Sequence, residues 1–176
     1  MPNLAGNPTN NQKSDPAAPK RYTEPTYGFT FQYPLVRHWT IKGKGGGGIK
    51  FVNKFLGSYM LVMASQIGGV VENIHDLVVQ VDLVKGIVKT MKRIDKSTAN
   101  FKFGSAENIV NTHNQIKGFK VIFHFKEPGR DMIGKSITYI YKQIRYDILA
   151  YAAATHFDTE DKVFFEPITK SFTFET

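Results

Sequence analysis

Cysteine is absent from the 176-residue chain. That excludes disulfides, thiolate metal centres and thiol nucleophiles. It leaves the redox compartment open, because an oxidising one also suits a chain with no stray thiol. Apolar runs are short. None reaches the ~20 residues that a membrane helix needs. The first residues also lack the apolar core of a secretory signal, so Met1 is either a natural start or stands in place of a removed export segment. Catalytic spacings are missing too. The five histidines, His38, His75, His113, His124 and His156, form neither a His-Glu-x-x-His motif nor a Cys/His cluster. A metal site would have to be assembled from distant histidines. There is no Gly-x-Ser-x-Gly nucleophile elbow. The carboxylates Asp147, Asp158, Glu160, Asp161 and Glu166 are accounted for as turn, cap or surface groups. No catalytic residue, cofactor or metal is therefore expected, and the chain reads as a non-enzyme.

What is present suits one domain with a tail. Hydrophobic residues make up 41% of the chain, and roughly two-thirds of the unfolded surface can be buried at this size. The formal net charge is +8. That balance favours acidic partners: nucleic acid, an anionic membrane surface or an acidic protein. Residues 1–21 are rich in Asn, Pro, Ala, Lys and Ser and nearly free of apolar side chains. Such a segment cannot offset its ordering entropy, so it is expected to be a disordered tail or tether. The domain is expected to span residues 22–176.

Period-two alternation marks strands at Tyr27–Tyr33, Trp39–Lys42, Ile49–Val52 and Ser58–Gln66. The last is apolar almost throughout, as a mid-sheet strand covered on both faces would be. An amphipathic helix is predicted over 73–93, with Asn73 as N-cap and Ile74, Leu77, Val78, Val81, Val84, Val88 and Met91 recurring at helical spacing. Gly86 in its interior suggests close packing. Strand patterns return at Phe101–Val110, Gly118–Phe125, Lys135–Tyr141 and Arg145–Ala153. A short helix capped by Asp158 and stopped or kinked at Pro167 follows, and Ser171–Phe174 closes the domain. Short turns between consecutive strands require antiparallel pairing. The fold class is α+β.

Gly129-Arg-Asp-Met-Ile-Gly-Lys135-Ser136 spells a phosphate-binding loop. Such a loop must open a helix whose N-terminus faces the phosphates. Here Ile, Tyr and Tyr alternate after Ser136, which is strand language, and Pro128-Gly129 reads as a hairpin turn. The Gly43–Gly48 run reads as a flexible hairpin connection. Aromatics interleave with lysine at Phe101-Lys102-Phe103 and Phe119-Lys120, and strand alternation sends rings and lysines to opposite faces. The more suggestive basic feature is on the helix. Lys85, Lys89, Lys92 and Arg93, with Lys96 beyond, form a candidate partner-binding patch, although cations also complement a helix C-terminus.

Taken in order, these elements resemble the PsbP-like superfamily. It holds the PsbP extrinsic proteins of photosystem II, the Ran-binding Mog proteins of eukaryotes and the DcrB-type exported bacterial proteins. The resemblance rests on Tyr27-Gly-Phe-Thr-Phe-Gln-Tyr-Pro34 with Trp39, and on Tyr139–Tyr141, Tyr146–Ala153, the short helix and Ser171-Phe172. It implies an α/β/α sandwich around a central antiparallel sheet of about six or more strands. It also implies a monomeric, non-catalytic accessory protein that binds a protein partner through its sheet-and-loop surface. Many bacterial members are exported lipoproteins, but no lipobox cysteine precedes this tail. An exported or periplasmic setting, with membrane association through a removed anchor, is expected if a signal segment was removed, and a cytoplasmic one otherwise. The alternative reading is a basic module for nucleic acid or anionic surfaces.

Overall fold

The computed structural model describes residues 17–69 and 74–175, with the side chains of 77–79 left aside. Eight antiparallel strands form the central sheet. They are β3 (Trp39–Gly45), β4 (Gly48–Asn53), β5 (Ser58–Gln66), β6 (Ala99–Phe103), β7 (Glu107–Val110), β8 (Lys117–Glu127), β9 (Arg130–Tyr141) and β10 (Ile144–Ala153). Their order is β3-β4-β5-β10-β9-β8-β6, with β7 also on β8. Helix α1 (Leu77–Ile94) covers one face. The other face carries a three-stranded sheet of β1 (Lys20–Glu24), β2 (Phe29–Tyr33) and β11 (Thr173–Phe174). Beside it lie the helical turns α2 (Phe157–Glu160), a π-helical turn (Asp161–Phe165) and α3 (Glu166–Ser171). This is the expected sandwich, with helices on both sides of an antiparallel sheet. The small sheet in the second outer layer adds to it.

Strand alternation fills two cores. Phe119, Val121, Phe123 and Phe125 of β8 face α1, where they meet Leu83, Ile87 and Met91. The opposite core gathers Phe29, Phe31, Phe51, Tyr146, Phe164, Phe165 and Phe172. Mid-sheet β5 contributes Tyr59 and Leu61 to the first core and Met60, Val62 and Ala64 to the second. Its unbroken apolarity is thereby explained.

Several expectations are corrected. A strand at Lys20–Glu24 precedes the expected first one, Tyr27–Tyr33, which itself runs over Phe29–Tyr33. Asn73 lies outside the described residues. The face that α1 buries carries Gln80, Leu83, Ile87 and Met91, while Val81 points outward. The seam follows 80, 83/84, 87 and 91, a three-and-four rhythm that keeps Ile74, Val84 and Met91 of the expected set and leaves Val81 outside. Close packing at Gly86 is real: a methyl group there would sit 3.3 Å from Nη1 of Arg145. The stretch 101–110 divides into β6 and β7, which pair with different halves of β8. Asp158 does not cap α2, since His156 occupies the N-cap position and makes no side-chain cap. Pro167 does not end the helix but sits at the start of α3. Without an N–H it cannot bond the carbonyl four residues back, and the chain widens into the π turn just ahead of it. That widening brings the consecutive Phe164 and Phe165 both into the core.

The β9–β10 turn carries a local cost. Lys142 and Gln143 both adopt positive φ, 49° and 60°. A two-residue turn of this kind favours Asn-Gly, and each L side chain there costs roughly 1 kcal/mol. The double substitution K142N/Q143G is expected to stabilise the domain by about 1–2 kcal/mol. A rise in the urea midpoint at unchanged slope would show it, and no rise would show that the turn is unstrained.

Candidate functional site: a basic groove beside helix α1

The five expected residues line up along the exposed side of α1 and the turn after it. Lys85 is paired with Asp82 at 3.0 Å. Lys89, Lys92, Arg93 and Lys96 are exposed and form no salt bridge among the described residues. Asp95, the nearest acid in sequence, is occupied within its own turn. Ser97 donates to its carboxylate from its hydroxyl at 2.6 Å and from its N–H at 2.8 Å. Those bonds hold the Asp95 carboxyl below its ordinary range.

Arg93 also borders an open groove of 640 Å³ between the C-terminal turn of α1 and the β3–β4 hairpin. Its floor is apolar, made of Tyr59, Leu61 and Met63 of β5, with Ile94 from the helix. Lys44 and Lys50 stand on the hairpin side. The Lys44 ammonium lies 5.9 Å from the centre of the Tyr22 ring. No carboxylate lines the groove. The hairpin is shaped by its glycines: Gly46 and Gly47 make the turn at positive φ, a conformation open to glycine at no steric cost. Sequence reasoning found the helix side and missed the hairpin side. The available signal was the alternation of β4, which sends Ile49 and Phe51 inward and Lys50 the other way.

The other candidates are accounted for by packing. Gly129 is the β8–β9 turn, and Gly134, Lys135 and Ser136 lie within β9, not at a helix N-terminus. Lys135 is buried and paired with Asp161 of the π turn. Gly134 lies against the Phe123 ring, which a methyl group would overlap. Three carboxylates expected at turns, caps or the surface have partners beneath the surface. Asp161 holds Lys135. Glu160 is buried and accepts the Trp39 indole N–H at 2.7 Å. Asp147 accepts the Thr138 hydroxyl at 2.7 Å and pairs with Arg145 at 2.7 Å. Glu166 does lie near the surface, paired with Lys170 at 2.9 Å. The histidines do not converge, and no group of three metal-ligating side chains occurs among the described residues. Phe101 and Phe103 pack toward the α1-side core while Lys102 is exposed, and Lys120 pairs with Glu107.

No protein-family profile and no curated protein matches this chain. Solved structures do. Cyanobacterial PsbP (CyanoP) from Synechocystis sp. PCC 6803 superposes with a TM-score of 0.61 at 16% identity, over 90% of this chain and 93% of that one. LpqN, involved in cell envelope biogenesis of Mycobacterium tuberculosis, gives 0.54 at 11% identity over 90% and 91%. A protein from Bacteroides thetaiotaomicron gives 0.55 at 13% identity, over 89% of this chain and 48% of that one. No helix among the described residues is long and apolar enough to cross a membrane. Identities this low speak of architecture, and on that footing the chain has the PsbP-like fold.

Proposed function

We propose that this is a non-catalytic accessory protein whose basic groove receives an acidic segment of a protein partner. The observation that carries the reading is the groove itself. It joins an apolar floor to the unpaired Arg93 and Lys50, with no carboxylate among its lining residues. Apolar floors supply affinity, while rim cations steer encounter and select the partner. Lys89, Lys92 and Lys96 extend the same potential along α1, and Lys85 is half neutralised by Asp82. An exported setting fits the likeness to LpqN, an envelope-biogenesis protein by description.

The test compares proteins retained by the immobilised chain and by K89E/K92E/R93E from an extract of the source organism. These exposed substitutions should leave the fold intact, as circular dichroism would verify. A protein held by the parent and lost at least tenfold in the variant is expected, since close charge contacts at interfaces weigh heavily. Identical retention by both proteins would overturn the reading.

A further inference from the structure

A second surface lies at the other end of the β3–β4 hairpin, away from Gly46-Gly47. Phe55, at the tip of the β4–β5 turn, is 78% exposed. The turn is built to present it. Asn53 Oδ1 accepts the N–H groups of Phe55 at 3.1 Å and Leu56 at 3.2 Å. The Gly57 N–H closes on the Asn53 carbonyl at 2.8 Å, and Arg130 donates to the Leu56 carbonyl at 3.2 Å. The His38 ring stacks on Phe55 at 5.1 Å, which ties the 34–38 loop to this tip. Two more of the six large exposed apolar side chains among the described residues belong here: Leu35, 49% exposed, and Ile41, 44% exposed.

The charges around them are of one sign. Lys42 and Lys54 line the same open depression as Ile41 and Phe55, and Arg37 is exposed beside His38. Residues 25–71 contain no Asp or Glu and five Lys or Arg. The acids that approach from other elements are already held: Glu127 by Arg130 at 2.6 Å, and Glu160 by Trp39. The Lys42 ammonium is pressed below its ordinary range by side-chain contact with Lys54 and then by its like charge. An external anion would relieve that crowding.

We propose that this loop end docks on an anionic lipid bilayer, with Phe55 and its apolar neighbours entering the interface and Arg37, Lys42 and Lys54 meeting the headgroups. Three features favour a bilayer over a macromolecular ligand. Leu35 and Phe55 stand on loops and Ile41 on the edge strand β3, around a shallow open depression rather than a closed cleft, so they suit a soft, deformable partner. Cations surround them, which is the arrangement that combines insertion with headgroup attraction. The aromatic platform is one ring pair, whereas single-stranded nucleic acid is held by a succession of stacked rings. The proposal does not depend on the α1 groove, and its variants are different residues.

Because the chain has no cysteine, F55C accepts one environment-sensitive fluorophore without other changes, and V110C supplies an exposed control site. Vesicles of phosphatidylcholine, with and without roughly one-third phosphatidylglycerol, are titrated at two salt concentrations. The label at 55 should shift to the blue and be quenched by acyl-chain nitroxides on anionic vesicles alone, while the label at 110 should not respond. In sedimentation, K42A/K54A should weaken partitioning about thirtyfold, from about fivefold per lysine, and F55S about tenfold. Equal binding to neutral vesicles would overturn the proposal. So would a label at 55 that stays in water while the protein is bound. Binding of single-stranded DNA or polyglutamate at concentrations where anionic vesicles fail would also overturn it.

Discussion

Replacing Phe172 with alanine is expected to lower stability by about 4 kcal/mol, within the range for truncating a buried phenylalanine. Phe172 is fully buried. Its ring lies 5.4 Å from Phe29, 6.1 Å from Tyr139 and 5.3 Å from Phe174, so it sits where β2, β9 and β11 meet. Rings on three elements cannot collapse together into the void, so relaxation relieves little of the cavity cost. For a domain of this size, a loss of that order lowers the melting temperature by roughly 8–16 °C. Its carbonyl accepts the Asn111 side-chain N–H at 2.8 Å, and alanine keeps that bond. The loss should therefore come from packing. A loss under about 1 kcal/mol would mean that the closing segment is not part of the core.

The second large effect should be asymmetric. Asp161→Ala is expected to cost about 3 kcal/mol, and Lys135→Met about 1 kcal/mol or less. The Lys135 side chain is 8% exposed and that of Asp161 is 29% exposed. Removing the aspartate strands an ammonium inside the sheet–helix interface, whereas removing the lysine leaves a carboxylate that water can reach. Methionine also matches the lysine stem in volume. The Lys135 charge acts beyond this pair, as one of several influences holding the Glu166 carboxyl low; the hydrogen bond from Lys170 is the largest of them. Equal costs for the two substitutions, read from denaturant midpoints, would contradict this account. The same comparison separates a structural lysine from a phosphate-binding one, since the latter would change stability little without ligand.

The strand framework was legible because each strand has a hydrophobic period of its own. Ser58–Gln66 was read to the residue, and the antiparallel order followed from short turns. The helical layer was harder. Val81 and Val88 fit a helical rhythm as well as Leu83 and Ile87 do, and only the sheet beneath α1 decides which set is buried. The π turn was invisible because a proline at position 167 announces a break and not the widened turn ahead of it that brings Phe164 and Phe165 together into the core. The candidate groove was half legible. A run of lysines on a helix announces itself, but Lys50 joins it through a hairpin that no local pattern places beside α1. Phe55 escaped notice because one aromatic after an Asn-Lys pair looks like any strand end.

Strand β2 pairs with β1 on one edge and with β11 on the other. The Ser171 hydroxyl donates to the Gln32 carbonyl at 3.0 Å across 139 positions of sequence. Contacts of that span slow folding, because a long loop must close before they form. Strands β1 and β2 are synthesised early yet wait for residues 171–174 before Phe29 and Phe31 are sealed. During that interval both rings stay accessible, and a nascent chain offers them to chaperones until its closing segment arrives.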